Sequence, residues 1–175
     1  MATQLEPRER LQPALLDRLV DEAPDQRREP EVARVMSKSQ LRQAVLRDLS
    51  WLFNATQPRE NLGENYPALA GSVINFGLPS LSGKLASKID VSVLERALRD
   101  CIARFEPRLL PDSLHVKALE VSSVLDTHNM IEFEIQGLLW AQPVPLEVLL
   151  RTRLDLEAGL VEVRDAGAAP AARSR

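Results

Sequence analysis

Apolar residues recur at steps of three and four between residues 90 and 105. Leu94, Ala97, Leu98, Cys101, Ile102 and Phe105 line one side of an amphipathic helix. Asp90 is a candidate N-cap, with Ser92 and Glu95 as an alternative capping box. Pro107 stops the helix, because it lacks an N–H and drives Glu106 out of the helical region. Once the chain is extended there, Glu106 and Arg108 point to the same side. A second stripe, Leu41, Ala44, Val45, Leu49 and Leu52, predicts a helix over residues 39–54 capped by Ser39. Trp51 and Phe53 flank it. Core packing is the expectation for both, with one of them a candidate to face a partner. A shorter stripe over residues 11–20 (Leu11, Leu15, Leu16, Leu19, Val20) has Pro13 in its first turn. So short a helix is marginal alone and needs a surface, its own domain's or a partner's.

Beyond Pro107 the period changes to two. Residues 114–121 read as a strand with a register break near Ala118 and Leu119. In residues 130–140, Ile131, Phe133, Ile135 and Leu139 share one face, and Glu132, Glu134 and Gln136 the other. Residues 146–156 alternate most clearly, and Glu157-Ala158-Gly159 turns the chain into a last strand over 160–164. This predicts an α+β domain: a small, mainly antiparallel sheet of about four strands against two long helices, with an N-terminal helical arm. Residues 1–38 form the arm, short helix and charged linker, 39–165 the domain, and 166–175 a disordered tail. Residues 56–88, punctuated by Pro58, Gly63, Pro67, Gly71, Gly77, Pro79 and Gly83, are long for an irregular connection. They read as a partner-contacting loop or as a loop folded over the sheet. Such a sheet has two edges, each a row of N–H and C=O groups able to accept a strand from another chain.

Composition narrows the function classes. The net charge of −3 lacks the basic surplus that a nucleic-acid footprint needs. No apolar run approaches the roughly 20 residues of a membrane span, and the N-terminus has no signal-type segment, so a cytoplasmic protein without membrane insertion is expected. The single cysteine, Cys101, allows no disulfide within the chain and reads as a buried thiol. His115 and His128 have no second histidine at ligand spacing, so no metal is expected. Gly83-Lys84 stands without the rest of a phosphate-binding loop, and no Gly-x-Ser-x-Gly elbow occurs. No cofactor is expected. Carboxylate pairs such as Glu132 with Glu134 or Asp155 with Glu157 are same-face neighbours in strands, the pattern of a solvated face. A glycosidase needs two carboxyls facing across a cleft, and no catalytic residue is assigned.

Four segments together carry a resemblance. They are Leu11-Gln12-Pro13-Ala14-Leu15-Leu16-Asp17-Arg18-Leu19, Leu41-Arg42-Gln43-Ala44-Val45-Leu46-Arg47-Asp48-Leu49, Ser72-Val73-Ile74-Asn75-Phe76-Gly77-Leu78-Pro79-Ser80-Leu81-Ser82-Gly83 and Arg104-Phe105-Glu106-Pro107-Arg108-Leu109. In order and spacing they resemble the TssE family of type VI secretion baseplate subunits, relatives of the phage baseplate wedge proteins that carry "lysozyme" in their name. The resemblance implies assembly rather than catalysis. It implies wedge partners TssF, TssG and TssK, sheath partners TssB and TssC, proximity to the tube and spike proteins Hcp and VgrG, and a place at the inner face of the inner membrane. It also implies a fold similar to the part of the sheath subunit that exchanges strands.

Two partner-binding faces are therefore expected. One is the corner Glu106, Pro107 and Arg108 with the loop residues Asn75, Phe76, Gly77 and Leu78, facing the wedge. The bland reading of the Glu106/Arg108 pair is a local ion pair that fastens the helix end to the sheet. The other face is a sheet edge on the strands at 130–140, 146–156 and 160–164, with Arg151, Arg153 and Asp155 along it. A peptidoglycan-cleaving enzyme and a free-standing adaptor are the competing readings.

Overall fold

The computed structural model describes residues 13–19, 25, 36–58, 66–80, 90–119 and 130–167. Expectations for the start of the arm, most of the linker, Gly83, Lys84, His128 and most of the tail lie outside these residues. Helix α1 spans Leu15–Leu19, α2 Lys38–Asn54, α3 Pro67–Ala70 and α4 Val91–Phe105. Strands β1 (His115–Ala118), β2 (Met130–Leu139), β3 (Leu146–Asp155) and β4 (Leu160–Asp165) form one antiparallel sheet in the order β1-β2-β3-β4. The class is α+β.

The cap of α2 lies two residues earlier than the stripe predicted. Ser37, not Ser39, accepts from the Gln40 N–H at 3.2 Å, and the Gln40 side chain accepts from the Ser37 N–H at 2.9 Å. Gln40 stands three residues after Ser37, the spacing at which both bonds close. At α4, Asp90 is the cap and accepts from the Ser92 N–H at 2.9 Å. Hydrogen bonding from the Ser92 hydroxyl, and then from its N–H, holds the Asp90 carboxyl below the usual carboxylate range. Glu95 is thereby spared for another bond, described below.

Both long helices lie on one face of the sheet. Leu41, Val45, Leu49 and Leu52 of α2 and Leu94, Leu98, Cys101 and Ile102 of α4 form one core with Ile131, Phe133, Ile135 and Leu139 of β2. Val148, Leu150 and Leu154 of β3 and Val161 of β4 complete it. Thr152 interrupts the apolar row of β3. It is 2% exposed, and its hydroxyl oxygen has no hydrogen-bond partner. Of the two aromatics flanking the α2 stripe, Phe53 enters the core and Trp51 is 53% exposed, under the Arg47 guanidinium. The β3–β4 turn is tied by Asp155, whose carboxylate accepts from the Glu157 and Ala158 N–H groups at 2.8 and 3.0 Å.

Candidate functional site

The corner after α4 is built by Pro107. Glu106, the C-cap, is 3% exposed, and Pro107 turns the chain so that Arg108 returns over it. Arg108 donates from Nε to Glu106 Oε1 at 2.7 Å and from Nη2 to Glu106 Oε2 at 2.5 Å. The Arg108 N–H adds a 3.2 Å bond to the same carboxylate. The pair does share a side, and it closes on itself. Arg108 Nη2 also donates to Asp48 Oδ2 of α2 at 2.5 Å. Burial works against the Arg108 charge, yet Glu106 and Asp48 outweigh it and hold the guanidinium above its ordinary value.

Asp48 is shared. Its Oδ1 accepts from Arg47 Nε at 2.9 Å, and Arg47 Nη1 donates to Asp17 Oδ1 of α1 at 2.6 Å. An alternating chain, Asp17–Arg47–Asp48–Arg108–Glu106, thus runs from the arm across α2 to the corner. Arg47 too is held above its ordinary value, the two aspartates offsetting its burial. Sequence reading found only the two corner members. Arg47 and Asp48 sit on the polar flank of the α2 stripe, and nothing local couples them to a residue sixty positions on. Asp17 and Arg18 interrupt the leucines of α1, and that contrast was the available signal.

The corner also continues the sheet. The Trp140 N–H donates to the Arg108 carbonyl at 2.7 Å, and the Leu110 N–H to the Leu138 carbonyl at 2.9 Å. The loop meets the corner through rings: Phe76 packs edge-on against Phe105, centroids 5.4 Å apart. Its other predicted members point inward. Asn75, Gly77 and Leu78 are buried. The Leu78 N–H bonds the Ala55 carbonyl and the Leu78 carbonyl accepts from the Gln57 N–H, both at 2.9 Å. Gly77, at φ 120°, lies so close to the Ala55 carbonyl that a Cβ would fall onto it. The Cys101 thiol donates to the Gly77 carbonyl at 3.2 Å, and burial pushes that thiol up to about 12. What this loop presents outward is Val73, 84% exposed, and Ile74, 61% exposed, neither singled out in the sequence.

The sheet edges differ from expectation in one respect. β3 is an inner strand, paired with β2 and β4, so Arg151, Arg153 and Asp155 do not lie on an edge. The alternation that made β3 the clearest strand reports burial on one face, which inner and outer strands share. Arg151 and Arg153 point to the uncovered face. There Arg153 bonds Glu132 at 2.8–2.9 Å, and Arg151 lies 3.9 Å from Glu134. These carboxylates belong to a cross-strand charge ladder on an open surface.

The outer strands are β1 and β4. In β4, the Ala166 N–H bonds the Leu149 carbonyl, which fixes the alternation: Val161, Val163 and Asp165 turn their main-chain groups away from β3. Asn54, the last residue of α2, takes both groups of Val161. Its Nδ2 donates to the Val161 carbonyl at 2.8 Å, and its Oδ1 accepts from the Val161 N–H at 3.0 Å. Among the described residues nothing bonds the Val163 N–H or C=O. In β1, Glu95 of α4 accepts from the outward Ala118 N–H at 2.7 Å. Each edge therefore gives main-chain groups to a helix side chain, and β4 keeps the Val163 rung open among the described residues.

Among the described residues no helix is long and apolar enough to cross a membrane. No curated protein and no solved structure matches the chain. A sequence model of a protein family does match, over residues 39–144, taking in α2, the loop, α4, the corner and the β1–β2 pair. Three of the four segments that carried the resemblance to TssE subunits lie inside it, Leu11–Leu19 lies outside, and the match agrees with the resemblance. By that match the chain belongs to the family of baseplate wedge protein gp25.

Proposed function

We propose that this chain is a structural baseplate subunit of a type VI secretion system. It ties the wedge to the first ring of sheath subunits and starts sheath growth by accepting an extended strand. The family match supports a structural role in a baseplate. The observation that carries the sheath reading is the edge of β4, where the Val163 N–H and C=O point outward without a partner among the described residues. Main-chain hydrogen bonds to such an edge give affinity with little demand on sequence. The occupant is an extended segment of TssB or TssC. Arg151, Arg153 and Asp155 lie beside that edge and add charged contacts to the same partner.

The wedge proteins TssF, TssG and TssK contact the other end. Arg108 is already committed to Glu106 and Asp48, so the corner acts as a rigid ledge rather than as a free guanidinium. The exposed Pro107, Phe76, Val73 and Ile74 form its contact surface. The tube and spike proteins Hcp and VgrG are neighbours through the assembled baseplate, on the cytoplasmic side of the inner membrane. The test is genetic. Bacteria lacking this chain form no extended sheaths, visible by fluorescent sheath subunits, and the wild-type chain restores them. Normal sheaths in its absence overturn the proposal.

A further inference from the structure

The Asn54 carboxamide does to β4 what a neighbouring strand does: it exchanges two bonds with Val161, one given and one received, at 2.8 and 3.0 Å. Its second N–H is spent on the Ser50 carbonyl at 2.7 Å, so both amide donors are used and the group is held against its own helix. At the other end of the strand, Arg42 of the same helix lies 3.4 Å from the Asp165 carboxylate, which leaves the Asp165 main chain untouched. Of the three outward rungs, Val161 is closed, and Val163 and Asp165 have no partner for N–H or C=O among the described residues.

We propose that Asn54 guards β4 against a second copy of this chain while leaving the strand open to a foreign one. Two copies meeting edge to edge in antiparallel fashion about a two-fold axis at Val163 would pair Val161 with Asp165, Val163 with Val163, and Asp165 with Val161. Closing Val161 in both copies removes the first and third of these pairs and leaves one. An extended segment from another protein, with all its own rungs free, still finds Val163 and Asp165 available. The guard thus penalises the homotypic pair twice for each time it penalises the heterotypic one. This is a device against edge-to-edge association that leaves the edge usable. That the foreign strand belongs to a sheath subunit rests on the reading above; the exclusion of a second copy does not.

The test is sedimentation velocity of the full chain across a concentration series. Asn54→Ala restores two rung pairs, four hydrogen bonds, and so tightens self-association at least ~30-fold. Asn54→Ala with Val163→Pro lowers it part of the way back, because proline removes the donors of the central pair and leaves the two outer ones. Asn54→Asp keeps the acceptor for the Val161 N–H, loses the donor to its carbonyl, and falls between. A folded Asn54→Ala chain that sediments as the wild type overturns the proposal, as does association that Val163→Pro leaves unchanged. If Asn54→Ala does not fold, the Asn54→Asp chain decides alone by the same readings. A Val163→Pro chain that still builds normal sheaths in cells, while Asn54→Ala associates as stated, overturns the strand-exchange reading and leaves the guard standing.

Discussion

Arg108 Nη2 lies 2.5 Å from Asp48 Oδ2, across sixty residues of chain, and the same nitrogen lies 2.5 Å from Glu106 Oε2. Two carboxylates from different elements share one guanidinium. Glu106 is almost fully buried and Arg108 is its ion-pair partner, so removing Arg108 strands a buried charge. Arg108→Ala lowers stability by about 3 kcal/mol, or roughly 6–12 °C in Tm for a chain of this size. Arg108→Lys keeps the charge but not the fork, and recovers less than half of that loss. Asp48→Ala combined with Arg108→Ala falls short of the sum of the singles in a thermal double-mutant cycle. Additive singles would show that the two residues do not act together.

Gly77→Ala is a local test of the loop. A Cβ meets the Ala55 carbonyl, and φ 120° is strained for any L side chain, so stability drops by about 1–3 kcal/mol in urea unfolding. The loss of the Ala55 and Gln57 stitching would also loosen the Phe76–Phe105 contact, visible as faster amide exchange over residues 75–78.

Thr152→Val goes the other way. The hydroxyl is buried without a partner in an otherwise apolar row, and valine keeps the shape. Stability rises by about 1 kcal/mol in the same measurement. A loss would mean that the hydroxyl has a partner in solution.

Cys101 should be chemically silent. With its thiol pushed up to about 12, the native chain holds almost no thiolate near pH 8, and alkylation proceeds only as fast as the chain opens. The sign for stability follows from the same shift. Well below pH 9 folded and unfolded thiols are both protonated, and the group contributes nothing that changes with pH. From pH 9 toward 12 the unfolded thiol ionises while the folded one does not, so stability falls as pH rises through that window. Cys101→Ser removes this alkaline component.

Proline placed at two strands separates an inner position from an outer one. At Arg153 the N–H faces β4 within the ladder, so Arg153→Pro costs about 3 kcal/mol or more and breaks the sheet. At Val163 the N–H faces outward, so Val163→Pro leaves circular dichroism and Tm near the wild type and stops sheath formation in cells.

The periodicities made the helices and the strand alternation legible because both report burial on one face. The stripe of α4 and the alternation of β2 and β3 emerged as read. Strand order was not legible, since an inner and an outer strand with one covered face have the same pattern. That is how Arg153 came to be expected at an edge that belongs to Val163. The corner was found through Pro107, a local breaker. Its partner Asp48 was not, because a side-chain bond across sixty residues leaves no trace in spacing. Asn54 was hidden for a related reason: a polar residue ending a helix looks like an ordinary terminus until the strand beside it is placed.

The short helix α1 buries none of its residues; Leu15 and Leu19 are 75% and 74% exposed, and among the described residues its side-chain bond to the body runs from Arg47 to Asp17. Its attachment therefore answers to ionic strength with the opposite sign from that of a greasy helix. Sodium chloride, whose screening length shrinks from about 10 Å at 0.1 M to about 3 Å at 1 M, loosens it toward the molar end of that range. Sulfate, which tightens oily contacts, gives it no such help beyond screening. Three leucines held outward on an electrostatic tether form an arm whose release uncovers no buried residue of its own.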